Sequence, residues 1–83
     1  MLTIKVLGSG CANCKRLEAV THQVVDQLGL QAEIIKVTEY QDIMAYNVMS
    51  TPGLVINEKL VSAGRIPSPG EITTFLTNAL EAA

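Results

Sequence analysis

Charge is scarce in this chain of 83 residues. Only 17% of them are charged, six basic against eight acidic, giving a formal net charge of -2. Binding to nucleic acid or to an anionic membrane needs a basic footprint, and none is present, so neither partner is expected. Long apolar runs are missing as well. The longest span only a few residues, far short of the roughly 20 that a bilayer-crossing helix needs. Met1-Leu2-Thr3-Ile4-Lys5-Val6-Leu7 lacks a charged leader and an extended apolar stretch. It reads as a strand rather than a signal peptide, and a cytoplasmic location is expected. Ligands for metal are few: two cysteines and one histidine, His22. A closed zinc site needs four, so no zinc is expected in a single chain, and the dithiol exchange read below requires no bound cofactor. Repeats, linkers and low-complexity tracts are also absent. The expectation is one domain over residues 1–83.

What is present is enough apolar material to fold. Hydrophobic residues make up 48% of the chain, within the range of globular proteins and outside that of disordered ones. Leu2, Ile4 and Val6 alternate with Thr3 and Lys5, which predicts a first strand ending at Gly8-Ser9-Gly10. From Ala12 to Leu28 the apolar residues Leu17, Val20, Val24 and Leu28 recur at helical spacing, with Lys15, Glu18, His22 and Asp26 on the other face and Gly29 as the stop. Residues 32–37 form a second strand, and 39–47 a short helix. Gly53-Leu54-Val55-Ile56 and Lys59-Leu60-Val61-Ser62-Ala63 flank Asn57-Glu58 as a hairpin. Ser68-Pro69-Gly70-Glu71 has the outline of a capping box before Ile72, Phe75, Leu76 and Leu80. The order β-α-β-α-β-β-α, with a right-handed crossover, predicts an α/β fold: a four-stranded mixed sheet with helices on both faces.

The two cysteines, Cys11 and Cys14, fall at the turn from the first strand into the first helix. A bridge between them closes so small a loop that it restrains the unfolded chain little, so the pair points to chemistry rather than to structural support. At a helix start, unpaired N–H groups and the positive dipole end lower a thiol from about 8.5 to somewhere around 3.5–7.5. Cys11, at the cap, is then the nucleophile. Cys14, three residues before Leu17, shares its inward face. An exposed attacker and a sheltered resolver are what dithiol exchange requires. The same spacing also holds soft metals, so a copper(I) carrier stays open as an alternative, as does a redox-silent adaptor.

Two segments together carry a family resemblance. Cys11-Ala12-Asn13-Cys14 follows the first strand, and Tyr46-Asn47-Val48-Met49-Ser50-Thr51-Pro52-Gly53-Leu54-Val55-Ile56 leads from a helix through a proline into the third strand. Over essentially its whole length the chain resembles small thioredoxin-like, glutaredoxin-sized proteins. That resemblance implies the thioredoxin-like fold and a thiol-disulfide oxidoreductase that acts on disulfide-containing proteins. It implies that Pro52 is a cis-proline beside the cysteine pair and that Thr51 offers its backbone to an extended substrate. Ala12 and Asn13 border the same substrate.

The chain departs from the family pattern at several places. Gly10 stands where thioredoxins have tryptophan, Ala12-Asn13 replaces the usual insert, and Lys5 occupies the place of a buried acid. Lys5 is expected either to act on a thiol or to send its ammonium to water. Gly64-Arg65-Ile66-Pro67-Ser68 lacks the features that recognise glutathione, so the expected electron donor is a thioredoxin-reductase-type protein. The copper-carrier alternative runs β-α-β-β-α-β, which the helical stretch before Pro52 does not fit. Tyr40, Tyr46 and Phe75 fit core or half-buried places, and Met44 and Met49 fit core filling. Lys15 and Arg16 are solvating charges that also suit an acidic partner, and His22 is a surface histidine.

Overall fold

A computed structural model describes residues 2–10, 12–48 and 50–82 of the chain. Cys11 and Met49, both singled out above, lie outside the described residues. The elements are β1 (Leu2–Leu7), α1 (Ala12–Leu28), β2 (Ala32–Val37), α2 (Tyr40–Met44), β3 (Gly53–Ile56), β4 (Lys59–Ala63) and α3 (Pro69–Ala82). The order is the one that the sequence pattern predicts. The strands form a four-stranded mixed sheet in the order β2-β1-β3-β4. β1 runs parallel to β2 and antiparallel to β3, and β4 is antiparallel to β3.

Alternation in β1 divides the core between two faces. Leu2, Ile4 and Val6 join Leu54 and Ile56 of β3 against Leu17, Val24 and Val25 of α1 and Ile72 and Leu76 of α3. Leu7 and Val55 point the other way, onto Ile43 of α2 and Val48. Helices therefore cover both faces. Ile4, Leu17, Leu54, Ile72 and Leu76 are fully buried, each worth about 1.5–3 kcal/mol of transfer free energy. Among the described residues no helix is long and apolar enough to cross a membrane.

Local signals fix the element ends. Gly29 takes φ 65°, and the amides of Gly29 and Leu30 bond back to the carbonyls of Asp26 and Val25, both at 3.2 Å. This nested pair satisfies carbonyls that the end of α1 leaves open. At α3 the Glu71 amide donates to Ser68 Oγ at 3.2 Å and the Ser68 amide to Glu71 Oε1 at 3.1 Å, the reciprocal capping box. The β3–β4 turn uses Asn57 and Glu58 with φ 50° and 67°, the pair of positive values a two-residue hairpin loop of this twist demands. Asn57 also ties this turn to β1: its amide donates to the Thr3 carbonyl at 2.8 Å, and its Oδ1 accepts from the Thr3 amide at 3.0 Å.

Several expectations about apolar side chains need correction. The second helix spans only Tyr40–Met44, not 39–47. After Met44 the chain tightens, with Tyr46 and Asn47 bonding three residues back to Ile43 and Met44, and Asn47 turns left-handed at φ 61°. A helix this short presents one inward position, which Ile43 takes. Tyr40 is therefore 73% exposed and Met44 37%, instead of buried. Leu28, the last residue of α1, and Leu80, in the last turn of α3, fit the inward stripes by spacing but are 43% and 48% exposed. Tyr46 and Phe75 are partly buried against the core, as expected.

Candidate active site

The carboxyl end of β1 brings three distant parts of the chain together. The strand continues past Leu7 through a bond from the Gly8 amide to the Val37 carbonyl at 2.9 Å. Gly10 then takes φ 84°, a backbone shape that glycine adopts without strain, and α1 begins at Ala12. Ala12 and Asn13 are exposed in its first turn. Cys14 is 5% exposed and is disulfide-bonded. Its sulfur packs on Gly8: a side-chain carbon at that glycine would overlap Cys14 Sγ, lie 3.1 Å from Cys14 Cβ and stand 3.8 Å from Thr51 Cβ. The missing side chain at Gly8 thus leaves room for the Cys14 sulfur at the end of the strand, with Thr51 close by.

The segment carrying Thr51 is held from behind. Pro52 is buried, the Thr51–Pro52 peptide bond is cis, and the Pro52 carbonyl accepts from the Gly64 amide at 2.9 Å. Thr51 stays exposed in front of it. The structure therefore gathers Cys14, Thr51 and Pro52 around Gly8, with Ala12 and Asn13 at the nearby start of α1.

Beside the sulfur lies a cavity of about 120 Å³ lined by Gly8, Gly10, Cys14, Glu18, Lys36 and Thr38, among others. Glu18 and Lys36 meet there, Oε1 to Nζ, at 3.5 Å. Neither appears among the sequence-derived site residues, because Glu18 falls on the polar side of the helical pattern. The available signal was its spacing of four residues from Cys14. Two larger cavities exist, one of about 670 Å³ beside α2 and one of about 550 Å³ between β4 and α3. Cys14 lines neither, so size does not locate the site.

Matching the chain against protein families decides its membership: residues 2–77 correspond to the thioredoxin domain family. The chain belongs to that family. It is 36% identical over 77 residues to a thioredoxin of Methanothermobacter thermautotrophicus, covering 93% of this chain and 100% of that one. A thioredoxin of Methanocaldococcus jannaschii is 37% identical over 81 residues, with 98% and 93% covered. Among solved structures, a point mutant of a thioredoxin from Halobacterium salinarum has a TM-score of 0.69 at 20% identity, covering 94% of this chain and 74% of its own. Thioredoxin-2 of the malaria parasite, described as a component of protein secretion machinery, has a TM-score of 0.69 at 12% identity, with 94% and 82% covered. At such identities these two likenesses speak for the thioredoxin fold alone.

Against the thioredoxin pattern, Lys5 takes neither role that the sequence offered for it. It points to the α2 face, opposite to α1 and Cys14, and donates to Tyr46 Oη at 2.7 Å and Glu58 Oε1 at 2.6 Å. Tyr46 in turn donates to Glu58 Oε2 at 2.8 Å. The Glu58 hydrogen bond, then that of Tyr46, holds the Lys5 ammonium above the ordinary lysine range. Lys5, then Tyr46, holds the Glu58 carboxyl below the carboxylate range. This cluster joins β1 to the turn after β3, and its lysine is remote from the thiol chemistry.

Proposed function

We propose that this thioredoxin-family chain is a thiol-disulfide oxidoreductase that reduces protein disulfides by a dithiol mechanism, acting as one domain in the cytoplasm. The observation that carries the reading is Cys14: buried, disulfide-bonded, and packed on Gly8 beside Thr51. In the reaction, the Cys11 thiolate attacks one sulfur of a substrate disulfide and expels the other as a thiolate. Cys14 then attacks Cys11 Sγ, the mixed disulfide breaks, and the second substrate sulfur leaves. Two electrons have passed from the cysteine pair to the substrate, and two protons follow them onto the substrate thiols. No bound cofactor takes part.

Thr51 presents backbone groups to an extended stretch of substrate, Pro52 supports it without an N–H of its own, and Ala12 and Asn13 border it. A reductase of the thioredoxin-reductase type restores the dithiol. The copper(I)-carrier alternative loses its support, since the observed order places α2 between β2 and β3. A Cys14→Ser variant tests the reading. It should accumulate mixed disulfides with protein substrates in a cell extract, whereas Cys11→Ser accumulates none. Disulfide reduction that survives in both variants would overturn the mechanism. Iodoacetamide should label Cys11 of the reduced protein first, because a helix-start thiol is the more acidic.

A further inference from the structure

Glu18 follows Cys14 by one helical turn on the same side of α1. Both line the small cavity at the end of β1, with Lys36 and Thr38. The Glu18 side chain is 22% exposed, against 64% for its partner Lys36, whose Nζ lies 3.5 Å from Glu18 Oε1. The Glu18 side chain is thus largely covered, paired with Lys36 and lining the same cavity as Cys14. A volume of about 120 Å³ has room for a water, with Glu18, Lys36 and Thr38 among the lining residues as its hydrogen-bond partners.

Resting on the dithiol reading above, we propose that Glu18 is the proton acceptor for Cys14. Once Cys11 is bound to substrate, Cys14 still carries its proton, and a buried thiol needs a base within reach to give it up. The Glu18 carboxylate takes the S–H proton through a water of the cavity. The freed electron pair of Cys14 attacks Cys11 Sγ, the mixed S–S bond breaks, and its electron pair departs with the substrate thiolate. The proton held by Glu18 passes to solvent as that thiolate is protonated. When a reductase later cuts the bridge, Glu18 returns a proton to Cys14 by the same route. Nothing in the sequence pattern assigns this work, because the acid sits on the helix after the cysteines and not on the strand before them.

The test uses the reduced full-length protein and one equivalent of dithiobis(nitrobenzoic acid), with release of the coloured thiolate followed by stopped flow. The first phase reports attack by Cys11 and the second reports resolution by Cys14. In Glu18→Gln the first phase should be unchanged. General base catalysis contributes about 10²–10⁴-fold; relay through water places the loss in the second phase near the lower bound, about a hundredfold at pH 6.5. The two proteins should converge as the pH is raised, because hydroxide then removes the thiol proton without help from Glu18. A wild-type protein with no first phase refutes the dithiol reading itself. A normal first phase with a second phase that is unaffected by Glu18→Gln, or slowed equally at every pH, refutes the role of Glu18.

Discussion

Replacing Gly8 with alanine would put a methyl group where the Cys14 sulfur already is. The new carbon would overlap Cys14 Sγ and sit 3.1 Å from Cys14 Cβ. Gly8 is not among the residues with positive φ, so the backbone accepts alanine and the cost is steric. Cys14 is 5% exposed and cannot step aside into solvent. Overpacking of this kind costs about 1–3 kcal/mol. At the midpoint of that range, the melting temperature of a domain this small falls by about 8–16 °C. Gly53→Ala is the comparison: its added carbon meets Leu7 Cδ1 at 3.3 Å and Leu7 Cβ at 3.4 Å, milder crowding than the overlap at Gly8, and should cost less than Gly8→Ala. Urea unfolding of the oxidised proteins measures both. The same Gly8→Ala change in a Cys14→Ala background has no sulfur to displace, so its cost there should fall by more than half, a coupling that a double-mutant cycle isolates. Equal costs in the two backgrounds, or a Gly8→Ala protein as stable as wild type, would refute the steric argument.

Ser68→Ala removes one half of the reciprocal cap at α3 and should cost about 1 kcal/mol in chemical unfolding; a cost near zero would mean that Glu71 and Arg65 alone hold the helix start. Glu71 is held down to about 2, from 4.5, chiefly by its hydrogen bond with Arg65 and then by the Ser68 amide. A carboxyl lowered on folding stabilises fully above its unfolded value and loses that contribution as pH falls toward the folded value. The stability gap between wild type and Glu71→Gln should therefore be constant above about pH 5 and close between pH 4.5 and 2; a gap independent of pH in thermal melts would contradict the assignment. Asn57→Ala deletes the bond to the Thr3 amide and puts alanine at φ 50°, so a loss of about 1–2 kcal/mol is expected, with unfolding of a Glu58→Ala variant as the comparison.

The periodic elements were legible because their signals are local. β1 alternates, α1 carries a stripe ending at glycine, and the Ser68–Glu71 box and the Asn57–Glu58 turn are each readable within four residues. The candidate site draws on the same kind of signal, a cysteine pair after one strand and a Thr-Pro before another, and the fold brings Cys14 and Thr51 close to Gly8. What stayed hidden depends on which face a side chain meets across the sheet. Lys5 and Val6 are neighbours in sequence, yet one joins Glu58 and Tyr46 while the other packs under α1. Glu18 looks like any solvated helix charge until β2 delivers Lys36. Tyr40 and Met44 fit a helical stripe, but the helix stops before the stripe can be used.

The closeness of Gly8 to both Cys14 and Thr51 has a consequence for how such a protein diversifies. The sulfur, Glu18 and Lys36 all belong to the first half of the chain, the β1-α1-β2 unit, which closes on itself through parallel pairing. Thr51 and Pro52 come from the second half and arrive with β3, laid antiparallel along β1. The proposed reactive sulfur and the proposed surface facing it are thus written in separate stretches of gene and come together at a residue without a side chain. Substitutions around Ser50 and Thr51 can reshape what is presented to a partner while leaving the ion pair beside the sulfur intact. Changes along α1 can retune the sulfur without redrawing that surface. Gly8 is a position where the two halves come close: a side chain there would overlap the Cys14 sulfur and reach Thr51.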